Sequence, residues 1–537
     1  MIRVLSRPRA TIIGCLATLL LGAPFGHAAE ITLADAAEAG DRATALRLLS
    51  DGSDANAPGP AATTPVMWAA YHGDLELVRA LIDAGADVTL MNEFGTSALA
   101  EAAVIGSAPI IAALLDADAD PNARNPEGET ALMVVARNGA VEAAAVLLDA
   151  GADINATEAW GGQSALMWAA ARSQSEMVRF LASRGADLDA RGVIRQWDRK
   201  TITEPRPKDM NKGGFTALLY AAREGCVECA RHLLTAGADP DLADPERVTP
   251  LNMALLNLNY DFAAFMIESG ANVDKWDLFG RSPLYMAADT NTLPVMGNGA
   301  MIVIPSEDER TAFDVARMLL AAGADPNLRL KRRPPYRNVP QDRGGDTILA
   351  QGATPLLRAA RAGDSPLVEL LLEHGALVDL PSKEGVTPFM AAAGVEYGLR
   401  VTRGRNRTME GVLATMQLLL DGGADIDARM VMEPRSTGMR EIPRRGDNSY
   451  QTRGRQVPSP HAVPHRTALH GAAMKGFNPI VEFLVANGAD LEARDANDRT
   501  PLDLAMGNYN ESFLRQAAEP HVETVALLES LLAERAP

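Results

Sequence analysis

Thr64-Pro65-Val66-Met67-Trp68-Ala69-Ala70-Tyr71-His72-Gly73-Asp74-Leu75-Glu76-Leu77-Val78-Arg79-Ala80-Leu81-Ile82-Asp83-Ala84-Gly85-Ala86-Asp87 is the stretch on which the fold is decided. A Thr hydroxyl caps the first free amides of a helix, and proline suits the next position because its missing N–H had no partner there anyway. Val66 to Ala70 give a narrow apolar face against which another helix can lie close. Gly73 is free to take the left-handed conformation that ends a helix, and Leu75, Val78, Leu81 and Ile82 then recur at helical spacing. Gly85 ends that second helix in the same manner. The stretch predicts helix, turn, helix, turn.

The pattern recurs along the chain. Thr64-Pro65, Ser97-Ala98, Thr130-Ala131, Ser164-Ala165, Thr216-Ala217, Thr249-Pro250, Ser282-Pro283, Thr354-Pro355, Thr387-Pro388, Thr467-Ala468 and Thr500-Pro501 each open a unit, and the first steps are 33, 33 and 34 residues. A glycine, or once Asp118, lies 21 residues after the opener in eight units. Fixed offsets mean a fixed backbone, and Asp118, Leu377 and Leu258 are local departures from it. The pattern resembles the ankyrin repeat, most fully in Thr467-Ala468-Leu469-His470 through Gly488-Ala489-Asp490. The resemblance covers residues 31 to 537 with inserts. It implies an all-α solenoid of about twelve helix-turn-helix units with β-hairpin-like fingers and long loop inserts. Ile31 to Ala62 would be the amino cap and Thr500 to Pro537 a degenerate carboxyl cap.

Composition agrees with a helical body: 47% hydrophobic residues, only 5% aromatic, and a formal charge of -18 that repels polyanions at long range. No nucleic acid is expected as a partner. Residues 1–28 read as a secretory signal, with Arg3, Arg7 and Arg9 before the apolar stretch Thr11 to Ala23 and small residues at Gly26 and Ala28. Cleavage near Ala28 would deliver the chain to the periplasm or beyond, with no membrane span in the mature chain. Ile12-Ile13-Gly14-Cys15 is a poor lipoprotein box, because the apolar run follows Cys15 where it ought to precede it.

Three long steps place extra residues in the finger between repeats. Residues 191–214 carry seven Lys or Arg against three acids, 329–352 six against two, and 429–466 eight against three. Two further inserts, at about 289–309 and 394–410, fall between the helices of a repeat. Trp197, Arg199, Lys200, Arg332, Arg333, Tyr336, Arg337, Arg444, Arg445, Tyr450, Arg453 and Arg455 would make the fingers a basic, partly aromatic surface for an acidic protein patch or an envelope polyanion. Two plainer readings stand beside it: fingers folded back to offset the acidic body, and solvated loops.

Among single residues, Cys226-Val227-Glu228-Cys229 is the sharp chemical motif. Covalent haem needs His directly after the second cysteine, where Ala230 stands. The register puts Cys226 at the opening of a second helix, as a redox dithiol requires. Cys229, however, falls where other units have a buried aliphatic such as Val78 or Val368. A structural disulfide, buried thiols, an incidental pair and a redox role all remain open. His461 and His465 lack an acidic or cysteine ligand alongside, and no metal site, cofactor or catalytic residue is expected. The resemblance points the two residues before the first glycine toward the concave side. That gives Tyr71, His72, Arg137, Asn138, Arg172, Arg223, Glu224, Arg361, Met474 and Lys475 as partner-binding candidates, with Phe94, Trp160 and Phe279 at finger tips. Each tip residue is equally able to pack on the adjacent finger. The expected role is a non-catalytic protein-binding scaffold, with a redox or cofactor-handling accessory using Cys226 and Cys229 as the alternative.

Overall fold

A computed structural model describes residues 31–194, 213–291, 306–332, 349, 351–395, 408–431, 465–508, 510–511, 516–517 and 519–535. The described residues divide into two compact units, one up to Ala98 and one from Leu99 onward. In the first, helices Leu33–Glu38 and Arg42–Ser50 form one pair and Pro65–Tyr71 and Leu75–Asp83 the next. The second is built of the same kind of pair, the first being Ala98–Ile105, which opens one residue before the boundary, with Ala108–Asp116, and the last Pro501–Ala505 with Val522–Arg535. Within each unit the first helix of a pair packs on the first helix of the next, and second helix on second helix, so two parallel rows result. This is the helical repeat stack that the period predicts.

Local chemistry explains the regularity. The hydroxyls of Thr216, Thr249, Thr354 and Thr387 each accept the amide three residues on, at 3.1–3.2 Å. Such a cap is worth about 1 kcal/mol over alanine. Paired alanines let the first-helix row close up: Ala169, Ala170, Ala221, Ala222, Ala359, Ala360, Ala391 and Ala392 are fully buried. The helix-ending glycines sit in the left-handed region, Gly139 at φ 77° and Gly225 at φ 78°. Where glycine is missing the backbone does the same at a cost: Asp118 and Leu258 both have φ 66°.

A second device runs between repeats. Where Asn or Asp stands two residues after the Gly-Ala-Asp aspartate, as Asn122 and Asn155 do, it accepts the amide of the matching aspartate in the next repeat. Asn122 takes the Asp153 amide at 2.7 Å and donates to the Gly151 carbonyl at 3.1 Å. The rung survives the inserts: Asp189 takes the Asp239 amide at 3.1 Å and Asp427 that of Asp490 at 3.0 Å, although 50 and 63 residues separate them. Even Leu377, which replaces an aspartate, donates its amide to Asn327 at 2.8 Å.

Finger stems are short antiparallel contacts, such as Arg124 with Thr130 and Thr157 with Ser164. The three basic inserts leave from stems of this kind. Gly192 donates to Phe215 and Gly214 to Val193, Leu330 donates to Ala353 and Gly352 to Leu330, and Met430 donates to Arg466 and His465 to Met430. The carboxyl cap adds a pairing that the period did not foresee, between Asn510–Glu511 and Gln516–Ala517. Among the described residues no helix is long and apolar enough to cross a membrane.

Candidate functional site

The residues expected to face outward divide into two groups. Tyr71 is 51% exposed and His72 is exposed beside it; with Trp68 they form a ring cluster, centroids 5.2–6.4 Å apart, and His72 Nε2 is 2.8 Å from the Glu38 carbonyl. Arg172 and Glu224 are exposed, and Arg223 pairs with Glu224 at 2.7 Å while lying 5.0 Å over the Tyr220 ring. Asn138 is exposed and donates to the Val104 carbonyl at 3.0 Å. Lys475 is half-buried.

Arg361 and Met474 do not face outward. Arg361 is 6% exposed and donates to the Val395 carbonyl at 3.2 Å, because the end of the next repeat's first helix closes over it. Met474 is buried against Leu504, and its carbonyl lies 3.1 Å from His521 Nε2 of the carboxyl cap. Of the finger tips, Phe94 and Trp160 are 70% and 66% exposed. Phe279 is half-buried; its carbonyl takes the amides of Lys331 and Arg332 from the adjacent finger, and Arg281 lies 5.3 Å over its ring. Arg332 itself is exposed. Trp197, Arg199, Lys200, Arg333, Tyr336, Arg337, Arg444, Arg445, Tyr450, Arg453 and Arg455 lie outside the described residues.

One of these positions, Trp160, lines a cleft of about 450 Å³ in the second unit, between the finger stems at 124–130, 157–164 and 192–214 and the first helices Ala165–Ala171 and Ala217–Glu224. Glu127, Glu129 and Glu158 line it together with Trp160, Trp168 and Tyr220. Each acid has a different standing. Glu158 is buried and spent on the finger, accepting the amides of Trp160, Gly161 and Gln163. Glu129 pairs with Arg137 at 3.1 Å, and Arg137 in turn lies 5.3 Å over the Trp168 ring. Glu127 is exposed at the mouth. Burial pushes the Tyr220 phenol up, so it stays a neutral hydroxyl. Trp168 Nε1 is buried and has no acceptor among the described residues. The cleft therefore offers ring faces and a solvated carboxylate. The sequence marked Trp160 and Arg137 but missed Glu127, Trp168 and Tyr220, since only the fold brings three successive fingers to one place.

Cys226 and Cys229 are bonded to each other. Cys229 is fully buried, and the structure aligns it with Leu77 and Leu367, one position before the Val78 and Val368 slot. Among the described residues no group of three or more His, Cys, Asp or Glu side chains is placed to hold a metal ion.

Comparison with known proteins matches residues 33–125, 106–192 and 218–330 to "Ankyrin repeats (3 copies)" and residues 351–383 and 465–496 to "Ankyrin repeat". The chain is 31% identical over 288 residues to human B-cell lymphoma 3 protein, covering 51% of each chain. It is 29% identical over 233 residues to human ankyrin repeat and SOCS box protein 16, covering 42% of this chain and 46% of that one. It is also 30% identical over 236 residues to the zebrafish (Danio rerio) putative palmitoyltransferase ZDHHC13, covering 44% and 28%. The chain thus matches about half or less of the length of these relatives. Among solved structures, the human ASB11 ankyrin repeat domain matches with a TM-score of 0.37 at 21% identity, over 45% of this chain and 98% of that one.

Proposed function

Because the chain belongs to the ankyrin repeat family, whose repeats are protein-interaction elements, we propose that it is a non-catalytic scaffold that grips a protein partner through the inner wall of its repeats. The observation that carries this reading is the cleft between three successive fingers, where a 66% exposed Trp160, the Trp168 and Tyr220 rings and the Glu127 carboxylate converge. Aromatic side chains at the edge of a concave surface are the usual anchors of an interface. Glu127 with the surrounding rings suits a basic side chain. The partner segment is thus a stretch bearing Lys or Arg.

In this proposal the basic fingers at 191–214, 329–352 and 429–466 meet an acidic patch on the same partner. The setting is the periplasm or the extracellular space, which the sequence of residues 1–28 suggests and to which a bonded cysteine pair is suited.

Peptide-display selection on the whole chain, counter-selected with the double variant Trp160→Ala/Glu127→Lys, tests it. Selected peptides are expected to carry Lys or Arg and to lose at least tenfold in affinity for the variant, as for an interface tryptophan. Peptides that are acidic, or that bind both proteins equally, would overturn the assignment of the cleft.

A further inference from the structure

The second helix of several repeats opens on a residue whose side chain accepts the amide three positions later. Asp41 accepts from Thr44 at 3.1 Å, Asp74 from Leu77 at 3.0 Å and Asp364 from Leu367 at 3.3 Å. At the start of Val227–Ala236 the same slot holds Cys226, and its Sγ accepts the Cys229 amide at 3.2 Å. Sulfur thus stands where other repeats of this chain place a carboxylate. The free amides and aligned peptide dipoles there favour negative charge. The nearby charged side chains pair with one another, Arg223 with Glu224 and Arg231 with Glu228, and Asn259 of the next repeat is neutral. The helix end acts on Cys226 directly, through the Cys229 amide. The two sulfurs are also unequal in access, since Cys229 is fully buried and Cys226 half-buried.

We propose that Cys226–Cys229 is an exchangeable disulfide that accepts reducing equivalents from a protein dithiol, an activity separate from partner gripping. A thiolate of the dithiol attacks Cys226 Sγ, the only one of the two within reach. The Cys226–Cys229 bond breaks, and Cys229 leaves as a thiolate and takes up a proton. The second thiolate of the dithiol then attacks its own sulfur in the mixed disulfide. Cys226 leaves as a thiolate held by the Cys229 amide. The dithiol becomes a disulfide, and two electrons pass to the cysteine pair. Because the helix end stabilises the reduced form, the pair is an oxidant toward thiols of ordinary acidity.

The test uses the whole chain in native buffer. Equilibration against glutathione redox mixtures, acid quenching, alkylation and mass analysis are expected to show the pair reduced reversibly without denaturant. In the reduced protein, alkylation of Cys226 by iodoacetamide should follow a pH midpoint at or below about 7.5, against about 8.5 for a free cysteine. Cys229→Ser should trap a glutathione adduct on Cys226. A bond that resists reduction until the protein unfolds, or a Cys226 midpoint at the ordinary value, would overturn the proposal. The double variant Cys226→Asp/Cys229→Ala, which restores the capping carboxylate used by Asp74, should fold and bind selected peptides as the parent does while showing no exchange. Loss of peptide binding with this variant would refute the separateness of the two activities.

Discussion

His470 offers a sharp test of how this chain depends on pH. Its ring is fully buried in the first-helix row. Nδ1 faces two donors, the Thr467 amide at 3.2 Å and the Thr467 hydroxyl at 2.9 Å, while Nε2–H points to the Arg499 carbonyl at 3.0 Å. A second proton would have to go onto Nδ1, against both donors. Burial, helped by the nearby Arg466 and Arg429 charges and opposed by the Arg499 carbonyl and Asp495, lowers its pKa from 6.5 to about 4. The unfolded chain takes up the proton near 6.5 and the folded chain only near 4, so stability is full above about pH 6.5 and falls as pH drops toward 4. Linkage puts the loss at about 2.5 kcal/mol by pH 4.5. His470→Gln keeps an acceptor and a donor but cannot titrate. Urea unfolding of both proteins at pH 7.5 and pH 4.5 cancels the acidic background. The stability deficit of the variant should shrink by about 2 kcal/mol or more at the lower pH. A deficit unchanged with pH would refute the reasoning.

Two further perturbations test the backbone. Asp118→Gly should raise stability by about 0.5–1 kcal/mol, since a left-handed φ of 66° costs any side chain and glycine nothing, whereas Gly85→Ala at φ 86° should lower it by about 1 kcal/mol. Nothing lies within 4 Å of a Cβ added at Gly85, so a cost near zero in urea unfolding would disprove the strain argument. Asn122→Ala removes both bonds to the next repeat and should cost about 1–2 kcal/mol. Asn122→Asp keeps the accepted bond, as Asp189 does against Asp239, and should cost less; equal losses for the two variants would show that the rung contributes little.

What the sequence made legible was what local chemistry alone decides. Thr-Pro caps, paired alanines and left-handed glycines each act within one turn, so their offsets report the helices directly. The same offsets place Arg361 and Met474 before a glycine as they do Arg223 and Glu224, yet only the latter are at the surface. What differs lies in the following repeat: the Ala391–Val395 segment and the carboxyl cap cover the former pair. Burial in a repeat stack depends on neighbours, which a period of 33 residues does not describe. The cleft escaped for the same reason, because Glu127, Trp160 and Tyr220 belong to three different repeats. The rungs between repeats went unread, because Asp120-x-Asn122 and Asp187-x-Asp189 take their meaning from a partner amide in the next repeat.

Those rungs explain how the stack tolerates its inserts. A finger insert must cross two constraints, the antiparallel stem and the amide-to-carboxylate rung, and both close on the near side of the added residues. Gly214 still donates to Val193 and Asp239 still donates to Asp189, so the helices beyond the first insert resume in register. The third insert, the longest, keeps Met430 paired with Arg466 and Asp490 paired with Asp427. Loop-closure entropy grows only with the logarithm of length, so each addition costs little once the stem has formed. Added residues at these positions therefore leave in register the two rows of helices that carry the cleft.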